Sequence, residues 1–96
     1  MTTQTETNVK YDRMFETFTS AKYDEVLRLV ALQNSRRDAQ AHQDVGEVFV
    51  GFKRFTYQTK EGIATIRVNP IRKTIELSTL VDQDLSDRIK KVLEIK

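Results

Sequence analysis

Ninety-six residues, 39% hydrophobic and 31% charged with a net charge of +2, have the make-up of one ordinary globular domain. The chain has no cysteine, which excludes disulfides, thiolate catalysis and cysteine-built zinc sites. No apolar run approaches the roughly 20 residues a membrane-spanning helix needs.

The start, MTTQTETN, carries neither the basic nor the apolar region of a signal peptide. With the missing cysteines it points to an intracellular, cytoplasmic setting. Residues 1–8 are Thr-rich without apolar anchors and read as a disordered tail ending in a cap at Asn8, before a single domain over 9–96. Tyr11, Met14, Phe15 and Phe18 then recur at i, i+3, i+4 and i+7, the stripe of a short first helix. Ser20 is a good cap for a second helix, whose apolar face is Tyr23, Val26, Leu27, Val30 and Ala31. Beyond Gln33 the chain is polar all round, and the helix end is expected between residues 36 and 42.

Gly46 separates this half from a β-rich half. Residues 47–58, EVFVGFKRFTYQ, are β-branched and aromatic and predict a strand. A turn at 59–62 uses Gly62; a second strand covers 63–68 and a third 73–80, joined through Asn69-Pro70. A four-residue loop over Asn69–Arg72 would pair Val68 with Lys73, Ile66 with Ile75 and Ala64 with Leu77. Asp82 or Asp84 then caps a last helix faced by Leu85, Ile89, Val92 and Leu93. The expected architecture is therefore α+β, in the order ααβββα: two N-terminal helices, a three-stranded antiparallel meander and a C-terminal helix.

An even loop puts Phe55 and Tyr57 on the face of Ala64 and Ile66, yet Val48, Val50 and Phe52 have the opposite parity. Either a bulge at Lys53-Arg54 restores the phase, or the second face near 48–52 is covered by a helix, a second subunit or a ligand. On that reasoning Val48, Val50 and Phe52 are the candidate protein interface.

Catalytic and metal signatures are missing. The sole histidine, His42, sits in a polar stretch and reads as a solvated side chain. Asp82, Asp84 and Asp87 lack the glycine and terminal glutamate of a calcium loop and read as helix-start acids. No cofactor, no metal and no enzymatic activity are expected.

Charge is unevenly spread. Residues 9–46 carry six basic and six acidic groups and residues 82–96 carry four of each, so both segments cancel. The meander sets Lys53, Arg54, Lys60, Arg67, Arg72 and Lys73 against three glutamates. The expected function is a small non-enzymatic binding or regulatory module that acts through a protein surface as a homodimer. The alternative is a nucleic-acid-binding domain in which those six basic residues contact phosphates.

Overall fold

The computed structural model describes residues 10–42 and 53–94. The element order is β1 (Tyr11–Glu16), α1 (Ser20–Arg36), β2 (Gln40–His42), β3 (Lys53–Thr59), β4 (Gly62–Asn69), β5 (Thr74–Ser78) and α2 (Gln83–Leu93). The five strands form one antiparallel sheet in the order β1-β5-β4-β3-β2. The expected ααβββα order is thus overturned: the first helix is a strand, and a further short strand flanks the meander.

The cause lies in β1. Its register slips between Tyr11 and Arg13, where Asp12 is accommodated as an irregularity. Tyr11 stands opposite Ser78 and Met14 opposite Glu76, whereas Arg13 and Phe15 stand opposite Leu77 and Ile75. The slip puts Tyr11 and Met14, three apart, on one face while Phe15 takes the other, so apolar residues on both faces of a bulged strand fall at a spacing that imitates a helix. Phe18 completes the false stripe but is 79% exposed, with φ at 67°. That left-handed backbone interrupts the chain before α1 begins. Just ahead of it the Thr17 N–H and hydroxyl both donate to the Lys73 carbonyl, at 3.0 and 2.9 Å, and fasten the end of β1 to the sheet.

Thr19, rather than Ser20, caps α1: its hydroxyl accepts the Lys22 N–H at 3.2 Å. Tyr23, Val26, Val30 and Gln33 are buried along the helix. The helix stops at Arg36, inside the expected range, and Asp38 at φ 53° turns the chain into β2.

In the first hairpin Lys60 and Glu61 form a two-residue turn between the paired Thr59 and Gly62. Gly62 has φ 143°, and a Cβ there would lie 3.2 Å from Leu80 Cδ1, so backbone and space both select glycine. Pairing runs without a slip from Lys53–Val68 to Thr59–Gly62, so Lys53-Arg54 is not bulged. Residues 48–52 lie outside the described residues.

The β4–β5 connection is four residues long but starts one residue later than expected. Asn69 pairs with Thr74, Val68 with Ile75 and Ile66 with Leu77. Asn69 remains in the strand because its side chain caps the turn, Oδ1 accepting the N–H groups of Ile71 and Arg72 at 3.0 and 3.1 Å. Lys73, at φ 58°, closes the turn instead of pairing. The shift moves each partner by two residues, so every side chain keeps its expected face.

Both helices lie on one face of the sheet. Phe15, Tyr57, Ala64, Ile66, Val68, Ile75 and Leu77 from the strands are buried against Tyr23, Val26 and Val30 of α1 and Leu85 and Ile89 of α2. Between the helices and the β3–β4 hairpin sits a polar knot. Gln33 Nε2 donates to Asp82 Oδ2 and, at 3.5 Å, to Tyr57 Oη. Arg37 Nη2 donates to both Asp82 oxygens at 2.9 Å, with its guanidinium carbon 5.3 Å from the Tyr57 ring centroid. Asp82 occupies the N-cap position of α2, but its carboxylate makes no capping bond because the knot uses it.

Candidate protein-interaction surface

Strand alternation leaves the opposite sheet face without a helix. The registers run in one row across all five strands: His42, Arg54, Arg67, Glu76, Met14. Arg54 and Arg67 are directly opposite each other, an arrangement that is unfavourable unless other groups balance it. Arg67 is balanced on its far side: its Nε lies 3.7 Å from Glu76 Oε1, and its guanidinium carbon sits 5.5 Å from the Tyr11 ring centroid. Burial pushes the Tyr11 hydroxyl above its ordinary pKa, and the positive charges of Arg67 and Arg54 counter only part of that rise.

Next to this row a trough of about 480 Å³ opens at the end of the sheet that carries the β4–β5 turn. Glu16 and Glu76 stand on its β1–β5 side and Arg67 and Arg72 on its β4 and turn side, with Met14 and Ile71 among its lining. Met14 is 60% exposed and Ile71 66%. Both are large apolar side chains held in water by the strand and turn geometry just described. Among the described residues neither Glu16 nor Arg72 enters an ion pair.

The six basic residues of the meander divide between locations. Arg54 and Arg67 share the helix-free face, and Arg72 borders its trough. Lys53 alternates onto the helix side with Phe55 and Tyr57. Lys60 is at the tip of the first hairpin, separated from the other end by the length of β4, roughly 23 Å at 3.3 Å per residue. Lys73 is engaged through its backbone in the turn. The proposed interface residues Val48, Val50 and Phe52 lie outside the described residues.

Of the other singled-out positions, His42 enters as a register partner of Arg54. The three late aspartates do not converge: Asp82 belongs to the knot, Asp84 pairs with Arg88 at 3.0 Å, and Asp87 accepts from Gln83 at 3.0 Å. Among the described residues no group of three His, Asp or Glu side chains comes together, and no helix is long and apolar enough to cross a membrane.

Sequence reasoning missed Tyr11, Met14, Glu16 and Ile71 as surface participants. The first two were absorbed into a helical stripe that does not form. Ile71 offered a readable signal, being a large aliphatic residue inside a turn where polar residues are usual. Comparison with protein-family models, with curated proteins and with solved structures finds no match for this chain.

Proposed function

We propose that this chain is a non-enzymatic binding module that works as a homodimer through the helix-free face of its sheet. The observation that carries the reading is the trough, because its charge is self-complementary. Acids lie on one side, bases on the other, and exposed Met14 and Ile71 accompany them. A two-fold axis through such a trough sets Glu16 of each copy against Arg72 of the other and buries the apolar pair from water. An intracellular setting accords with the absence of cysteine.

Sedimentation at micromolar concentration tests this. The native chain should run as a dimer, and Ile71→Glu should weaken association by about tenfold or more, the order expected for an interface anchor. Arg72→Glu and Glu16→Arg should each yield monomers, whereas an equimolar mixture of the two restores a heterodimer, because both contacts regain opposite charges. A native chain that stays monomeric sinks the reading.

A nucleic-acid partner is the second reading. What favours it is the placement of Arg54 and Arg67 side by side on one face with Tyr11. Oligonucleotide binding that falls steeply with salt and weakens in Arg67→Ala would support it.

A further inference from the structure

On the helix side of the sheet, away from the trough, a second cavity of about 520 Å³ lies between α1 and the strands β3 and β4. Its lining includes Leu27 and Val30 from the helix, Phe55 and Val68 from the sheet, and two polar residues, Asn34 and Lys53. Val30 and Val68 are buried, while Leu27 and Phe55 pack only partly against the core and leave apolar surface toward the cavity. No acidic residue is among its described lining. The volume falls within the 300–1,000 Å³ typical of small-molecule sites, which are likewise mostly apolar with a few polar groups that orient the ligand.

We propose that this cavity binds a single-chain amphiphilic carboxylate, its apolar chain against Leu27, Val30, Phe55 and Val68 and its head group on the Lys53 ammonium. The sign of the head group follows from charge complementarity: among the described lining residues the charged side chain is a cation, Lys53, at the exposed start of β3. Asn34 also lines the cavity, and its side-chain amide N–H groups are donors of the kind a carboxylate accepts from. The driving force is removal of the chain and of the Leu27 and Phe55 surfaces from water. The site is separate from the dimer face, so either assignment can fail without the other.

The experiment is a titration of the full chain with decanoate, decanol and decyltrimethylammonium, followed by amide chemical shifts. Decanoate should give saturable shifts at Leu27, Val30, Phe55 and Val68. Decanol should shift the same amides with about tenfold weaker affinity, the loss of one charge-assisted contact, and the ammonium should not bind. Lys53→Gln should weaken decanoate to the level of decanol and leave decanol unchanged. Ala31→Phe, at an exposed helix position lining the cavity, should abolish both while the melting temperature is retained. Equal affinity for decanoate and decanol, or no saturable shifts at millimolar ligand, overturns the proposal. Cavity shifts that depend on protein concentration without ligand also overturn it and assign the surface to a second copy.

Discussion

At the scale of single residues, Asp82 shows how one carboxylate ties separate elements together. Burial alone would raise its pKa. The hydrogen bonds from Arg37 and Gln33, with the charge of Arg37, outweigh that and hold it below the ordinary value of 3.8. A folded pKa below the unfolded one means the stabilisation is complete above the ordinary carboxylate range and is lost as pH falls through the folded value. Asp82→Asn should therefore destabilise the chain at neutral pH, by about 1 kcal/mol, because a partly exposed pair is worth far less than one in a dry interior. The gap between variant and native protein should close below pH 3.8. Urea midpoints measured across pH check this, and a gap that persists into strong acid would assign the effect to packing. Asn34 makes the opposite case. Its buried, unpartnered Oδ1 stabilises nothing, so Asn34→Leu should leave the melting temperature unchanged or raise it.

At the scale of elements, legibility followed how much each segment depends on distant partners. The faces of β3, β4 and β5 could be read because alternation and short turns are local, and the shift at Asn69 left every face intact. α1, expected from the sequence as a second helix, was readable from Tyr23, Val26 and Val30 because its period is undisturbed. β1 was not, since its identity depends on β5 about sixty residues later and on a slip at Asp12 that imitates a helical period. β2 is three residues long, too short to leave a pattern. The trough was not legible as a unit: charge singled out Arg67 and Arg72 as nucleic-acid contacts rather than as part of a dimer face, and Glu16 and Met14 lay in the misread strand. Phe18 distinguishes the two readings of this region directly. In a helix Phe18→Gly would remove a packed side chain and cost stability. In the observed turn, at φ 67° and 79% exposed, it should be neutral or stabilise by up to about 1 kcal/mol, since glycine accepts that backbone without strain. Thermal melting of the single variant decides it.

At the scale of the whole molecule, the sheet joins a local unit to a distant one. β3, β4 and β5 are linked by turns of two and four residues, so their pairing closes small loops. β1 must find β5 across α1 and the entire meander before Phe15 can reach Ile75. Loop-closure entropy disfavours that contact until the meander exists, which makes docking of β1 a late step in folding. The consequence is kinetic. Phe15→Ala should cost about 3 kcal/mol, nearly all of it as faster unfolding by about a hundredfold, with refolding scarcely changed. Ile66→Val, at the centre of the meander and fully buried, should cost about 1 kcal/mol and slow refolding instead. Stopped-flow rates against denaturant separate the two limbs, and slowed refolding in Phe15→Ala would place β1 in the nucleus. The same geometry bears on the dimer face proposed above. Met14 and Glu16 reach the trough only when β1 is docked, so whatever loosens β1 removes one side of the trough along with the cover of β5. A Phe15→Ala chain should accordingly lose self-association at temperatures where the meander is still folded, which sedimentation and far-ultraviolet circular dichroism followed together would show as two separate transitions.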